Sequence, residues 1–272
     1  MDVEAIEGLV ADDADAALAL LADLTAAVDP ELRALAWRLA ARVIVRMSQG
    51  SRHGTGARGL RTLVAGRAGP DTDLDLDRCI DEIVHAAAER RKPAIDDLAG
   101  RRWSHPATAV ALVVDRSGSM GGDRLAAAAL AAAVVAMRAP QEHGVLTFAG
   151  DVTIVKRLHE QRTATELIEH LLAVRGAGTT DLAEALRQAG DMLAGSRAAR
   201  RAIVILSDCR HNGPGDPVEA LRRIAGFVEQ CFVVSPAGDT DDARQLASAV
   251  GGRHGALAGP ADVPDVLNRM LA

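Results

Sequence analysis

From about residue 107 onward the chain alternates short unbroken apolar runs with longer amphipathic stretches, whereas the first hundred residues do not. Ala107 to Val114 and Ala202 to Ser207 are almost wholly aliphatic, and Gly144 to Ala149 and Cys231 to Val234 are shorter runs of the same kind. Each has the length and composition of a strand covered on both faces. Val152 to Leu158, set off by the turn residues Gly150-Asp151, predicts an edge strand. Between these runs the spacing predicts helices over Asp123 to Met137, Leu167 to Val174 and Leu182 to Leu193. Two more, Asp241 to Val250 and Val263 to Leu271, surround a short strand near Ala256. Such alternation predicts an α/β fold, Rossmann-like, with a doubly wound and mostly parallel sheet carrying helices on both faces.

The first hundred residues predict a smaller α-helical region, which places the domains at 1–100 and 101–272. Ala16 to Val28 has a leucine-alanine pattern. Asp29-Pro30-Glu31 then reads as a helix start, with a capping acid and a proline whose missing N–H costs nothing in the first turn. Leu32, Leu35, Leu39, Val43 and Met47 recur at helical spacing after it, giving an antiparallel partner for the preceding helix. Residues 48–70 hold six glycines mixed with arginines and predict a loop. Cys79, Ile83, Val84 and Ala87 support another helix, closed by Arg90-Arg91-Lys92-Pro93. A short extended linker from Trp103 leads into the first long strand.

With 49% hydrophobic and 25% charged residues the chain is expected to be globular rather than disordered. A net charge of −6 argues against a nucleic-acid partner, which demands clustered positive charge. Cys79, Cys209 and Cys231 lack metal-ligand spacing and suit a reducing compartment, so a cytoplasmic location is expected. Acids stand at Asp2 and Glu4 where a signal peptide carries base. The longest apolar run, Leu125 to Met137, is shorter than the roughly 20 residues a membrane span needs.

The first long strand runs directly into Asp115-Arg116-Ser117-Gly118-Ser119-Met120. One carboxylate and two hydroxyls thus stand at the carboxyl end of a strand, where α/β folds place their ligands. Oxygen-only donors suit a hard divalent cation such as Mg²⁺. Thr180, in the loop Gly176 to Asp181, and Asp208, at the end of the Ala202 strand, are expected at the same sheet edge. Without a metal, Asp115, Ser117 and Ser119 would simply cap the following helix.

The D-x-S-x-S pattern followed by a threonine and by a Ser-Asp strand end resembles the von Willebrand factor A domain and its metal-ion-dependent adhesion site. The resemblance covers about Ala107 to Ala272. It implies that Asp115, Ser117, Ser119, Thr180 and Asp208 hold Mg²⁺, or Mn²⁺ or Ca²⁺ in the same site, with the hydroxyls binding directly and the acids directly or through water. Thr179 adjoins Thr180, and Thr180 is preferred because Asp181 and a helix follow it; Asp181 is then an outer acid or a helix cap. Arg116 replaces the small residue common in the family, and strand alternation turns its side chain from the ion. Because the donors leave Mg²⁺ incompletely neutralised, an acidic side chain of a partner protein is the expected last ligand.

The helical first region, the aspartates at 73–77, Arg101-Arg102-Trp103 and the Asp115 motif together resemble bacterial von Willebrand A proteins that accompany MoxR-type AAA+ ATPases. That likeness implies a non-catalytic adaptor joining the ATPase to clients in assembly, metal insertion or maturation. A magnesium-chelatase D-like subunit is the alternative adaptor, although its AAA+-like domain exceeds the residues available. An Mg²⁺-dependent phosphohydrolase is the alternative of another class, but the dehalogenase type needs a second acid where Ser117 stands.

Other patterns are weaker. Asp71, Asp73, Asp75, Asp77 and Glu82 mimic a calcium loop, yet Leu76 occupies the place that demands glycine. Arg38, Arg42 and Arg46 form a basic stripe suited to solvent or to an acidic partner. Cys209 and His211 lack an orienting acid for nucleophilic chemistry. No P-loop occurs, and Gly176-Ala177-Gly178 is not a dinucleotide fingerprint.

Overall fold

The computed structural model describes residues 13–24, 40–48, 62–69, 72–104, 108–117, 122–173 and 179–271. In chain order these form helix α1 (Ala14–Leu24), helix α2 (40–48), strands β1 (Thr62–Arg67) and β2 (Asp73–Leu74), helix α3 (Leu76–Ala88), and strands β3 (Ala99–Ser104) and β4 (Thr108–Asp115). There follow α4 (Gly122–Arg138), β5 (His143–Phe148), β6 (Val152–Lys156), α5 (Ala164–Ala173), α6 (Leu182–Ala194), β7 (Arg200–Leu206) and α7 (Pro217–Ile224). The chain continues through β8 (Gln230–Pro236), α8 (Asp241–Ala249) and β9 (Arg253–Leu257) to α9 (Val263–Met270).

Residues 108–271 bear out the expected α/β fold. Six strands form one sheet in the order β6-β5-β4-β7-β8-β9, parallel except for the antiparallel edge strand β6. Alternation along the strands divides the core. Val110, Leu112, Val114, Val204 and Val234 face α4, α5 and α9, whereas Ala109, Ala111, Val113, Ile203, Ile205 and Val233 face α6, α7 and α8. The buried residues from Ala126 to Val135 explain the alanine-rich composition of α4, since it is covered on all sides and small side chains let its neighbours approach. The chain leaves β4 on one side through β5 and returns on its other side at β7. That reversal opens a crevice beyond the carboxyl ends of these strands.

The compact units differ from the expected 1–100 and 101–272 division. One comprises Met1–Ala57 together with Thr108–Ala272, and the other Arg58–Ala107. Leu18 of α1 and Ala40, Ala41, Val43 and Ile44 of α2 join the core on the α4 side of the large sheet. Asp15 Oδ1 accepts a bond from Ala261 N at 2.8 Å, tying α1 to the turn before α9. Burial of apolar helix faces against α4, rather than against each other alone, draws these segments into the α/β unit. The expected Asp29-Pro30-Glu31 start, with Leu32, Leu35 and Leu39, lies outside the described residues, as do Arg38 and Asp71.

The expected helical region is present as α1, α2 and α3, and the second unit adds strands to it, one of them within the loop expected over 48–70. Strand β1 occupies Thr62–Arg67, and the supposed linker at Trp103 belongs to β3, which pairs antiparallel with β1 and β2. Helix α3, supported in the sequence by Cys79, Ile83, Val84 and Ala87, covers this sheet through Cys79 and Ala86, while Ile83 and Val84 are exposed. The aspartate alternation is structural rather than a calcium loop: Asp73 lies in β2, and Asp75 Oδ2 accepts from Arg101 Nε at 2.7 Å.

Candidate functional site

Strand β4 ends at Asp115, which is 5% exposed. Ser117 N donates to its Oδ1 at 2.8 Å, an Asx turn that bends the chain away from the sheet. Ser207, the residue after β7, donates from Oγ to Asp115 Oδ2 at 2.6 Å and accepts from Cys209 N at 2.8 Å. The adjacent ends of two parallel strands are therefore joined through one carboxylate, each of whose oxygens keeps a lone pair for another ligand. Ser207 was not among the candidates from sequence. Its only signal was its place beside Asp208 at the end of an aliphatic run.

Asp208 follows, with a side chain 11% exposed, its Oδ1 accepting from Arg210 N at 3.1 Å and its Oδ2 lying 3.6 Å from Arg124 Nη1 of α4. Thr180 is buried in the loop before α6. Its N–H donates to Asn212 Oδ1 at 2.6 Å, and its carbonyl accepts from Asn212 N at 3.2 Å and Gly213 N at 3.1 Å. Asp181 N donates to Ala149 O at 2.7 Å, which fixes the same loop to the end of β5. Three loops after β4, β5 and β7, with the one before α6, are thus interlocked at one sheet edge.

Thr179 differs from its neighbour: it is exposed, and a Cβ added at Gly150 would lie 2.6 Å from its Oγ1. Asp181 caps α6, accepting from Glu184 N at 3.1 Å. Arg116 turns to Asp151, with Nη2 2.5 Å from Oδ1. Ser119 lies outside the described residues, so the structure brings Asp115, Ser117, Thr180 and Asp208 to one edge and leaves Ser119 undescribed.

Cys209 and His211 have other work. Cys209 is buried at φ 64°, and burial, then the charge of Asp208, push its thiol well above the ordinary range, opposite to what a nucleophile needs. His211 accepts from Leu182 N through Nδ1 at 3.3 Å, and its Nε2 lies 2.9 Å from Gly215 O, so both ring nitrogens are committed to holding the loop.

The donor set consists of two carboxylates and hydroxyl oxygens, a chemistry suited to a hard cation. Among the described residues no group of three or more His, Cys, Asp and Glu is arranged to hold a metal, so any ion here would rely on hydroxyls beside the two carboxylates.

Residues 110–211 match the family model of the von Willebrand factor type A domain. Among solved structures, the PilB minor pilin from Streptococcus sanguinis has a TM-score of 0.51 at 12% identity, covering 65% of this chain and 64% of that one. A von Willebrand factor type A protein from Catenulispora acidiphila has a TM-score of 0.50 at 18% identity, covering 64% of this chain and 44% of that one. BatB from Bacteroides thetaiotaomicron has a TM-score of 0.48 at 18% identity, covering 60% and 98%. No curated protein matches the chain significantly.

Proposed function

We propose that this chain, which carries a von Willebrand factor A domain, is a non-catalytic adaptor that binds a partner protein through a cation. Asp115, Ser117, Ser119, Thr180 and Asp208 hold Mg²⁺, or Mn²⁺ or Ca²⁺ in its place, and an acidic side chain of the partner completes the shell. The observation that carries this reading is the buried carboxylate of Asp115, oriented by Ser117 N and Ser207 Oγ at the point where the order of parallel strands switches sides. When bound, the ion would act as a Lewis acid for the partner's carboxylate, and the residues named would hold it at the sheet edge.

A catalytic reading finds less support. Cys209 is poorly placed to ionise, His211 is committed to backbone partners, and Ser117 stands where a dehalogenase-type phosphohydrolase carries its second acid. A MoxR-type AAA+ ATPase is the proposed partner, in protein or metal-centre maturation, on the strength of the motif resemblance; a magnesium-chelatase-like assembly would use the same site. No helix among the described residues is long and apolar enough to cross a membrane.

Thermal unfolding of the full chain with increasing Mg²⁺ tests the site. Ligand at about 100 times its Kd stabilises the native state by about 2.7 kcal/mol. Wild type is expected to gain a saturable rise in Tm that Asp115→Ala abolishes. An equal rise in both, or none in wild type with Mg²⁺, Mn²⁺ or Ca²⁺, would refute the metal reading. Retention of the purified ATPase with and without EDTA then tests the adaptor role, and equal retention would rule out a metal bridge.

A further inference from the structure

Six of the seven large hydrophobic side chains that are exposed among the described residues lie close together in sequence: Leu74, Leu76, Ile80, Ile83, Val84 and Ile95. All belong to the unit Arg58–Ala107. Single exposed leucines need no explanation, but a concentrated patch marks an interaction surface. Four of the six are on α3. At about 100° per residue, Leu76, Ile80, Ile83 and Val84 fall within one arc, and Val84 and Leu76 are 63% and 62% exposed. This arc adjoins the row that packs inward. Cys79 there exchanges hydrogen bonds with Ala99 at 3.2 Å, and Ala86 is fully buried. Helix α3 therefore carries one broad apolar arc, of which only the Cys79–Ala86 side is covered by its own three-stranded sheet.

The charges beside the open face select its occupant. One flank is the inward row; the other carries Asp81 and Asp77, both exposed, with Asp77 Oδ2 4.0 Å from Arg101 Nη2 in a solvent-screened pair. In a two-fold antiparallel pairing with a second copy, identical flanks meet, so Asp81 would face its own counterpart. A helix with a basic flank meets no such repulsion. We infer that the Leu76-Ile80-Ile83-Val84 face of α3 docks an amphipathic helix of another protein, apolar at i, i+3 or i+4 and i+7 and bordered by Lys or Arg. This surface is distinct from the Asp115 site and owes nothing to a metal.

Fluorescence anisotropy with the full chain tests it. The probe is a labelled synthetic peptide of about 20 residues, long enough to hold a helix, with leucines in a stripe and lysines on its flanks. Saturable binding is expected, weakened at least tenfold by Ile80→Glu and by Val84→Glu, exposed positions whose variants keep the far-UV circular dichroism of wild type. A glutamate-flanked peptide is expected to bind at least tenfold more weakly, and the double variant Asp77→Lys with Asp81→Lys to reverse that order. Binding is expected to persist in EDTA and in Asp115→Ala. Absence of binding, binding indifferent to Ile80→Glu and Val84→Glu, or a dimer in light scattering that Val84→Glu dissociates would each overturn the proposal.

Discussion

Replacing Ser207 by alanine removes one oxygen from the interior of the candidate site while keeping the backbone and Cβ. Two bonds are lost: the Oγ–H donated to Asp115 Oδ2 at 2.6 Å and the bond accepted from Cys209 N at 2.8 Å. Ser207 and Asp115 are each 5% exposed and Cys209 is 7% exposed, so water has little access to replace either bond. A buried polar group left without a partner costs about 1–3 kcal/mol, and a bond to a carboxylate stands at the stronger end. Cys209 also adopts φ 64°, a conformation disfavoured for a side chain with a Cβ by about 1–2 kcal/mol and held partly by the lost N–H bond. The two losses share one loop and are not additive, so a destabilisation of about 2–4 kcal/mol is expected. Urea unfolding followed by circular dichroism measures it as a lower midpoint at unchanged m. Ser248→Ala, exposed on α8, serves as the control and is expected to stay within about 0.5 kcal/mol of wild type. A loss below about 1 kcal/mol for Ser207→Ala would refute the view that this hydroxyl joins the two strand ends. On the metal reading the same variant also weakens Mg²⁺ binding about 10-fold or more, because an oriented ligand loses its support.

Two further outcomes follow from the packing. A Cβ at Gly213 would sit 2.8 Å from both Cα and Cβ of Asp181, so Gly213→Ala must shift the loop that also bonds Thr180; a loss of about 1–3 kcal/mol in urea is expected, against little change for Gly226→Ala, where nothing lies within 4 Å. His143 is buried, with Nδ1 2.8 Å from Ala139 O, and burial, then the nearby Lys156, lower its pKa to about 4. The unfolded chain takes up this proton near pH 6.5 and the folded chain only near 4, so stability is expected to fall as pH drops through that interval, by at most about 3 kcal/mol. Urea midpoints between pH 7 and 4 check the sign, and a His143→Gln variant with an equally steep decline would contradict the assignment.

The large sheet was legible because its strands are buried on both faces and hence continuously apolar, a signal that needs no knowledge of neighbours. The expected runs at Ala107 to Val114 and Ala202 to Ser207 coincide closely with β4 and β7. The places of Asp115 and Asp208 at strand ends followed from the same local pattern, whereas Thr180, in the loop before α6, was reached only through the motif resemblance. Helix α7 was missed, although Asp216 and Pro217 supply its cap and first turn. In Arg58–Ala107 the strands are short, and one face of α3 is apolar without being covered. Hydrophobic periodicity registers an apolar face, not what lies against it.

The sequence by itself therefore determined the strands of the large sheet and the oxygen chemistry at the end of β4, since both are local. Tertiary structure alone decided that Ser207 meets Asp115 across 92 residues and that Asn212 braces Thr180 across 32. It also decided that α1 and α2 join the α/β core while Ile80 and Val84 remain in solvent. Such pairings depend on which strands lie side by side and which surfaces find cover, and those are properties of the assembled sheet that no short window of residues contains.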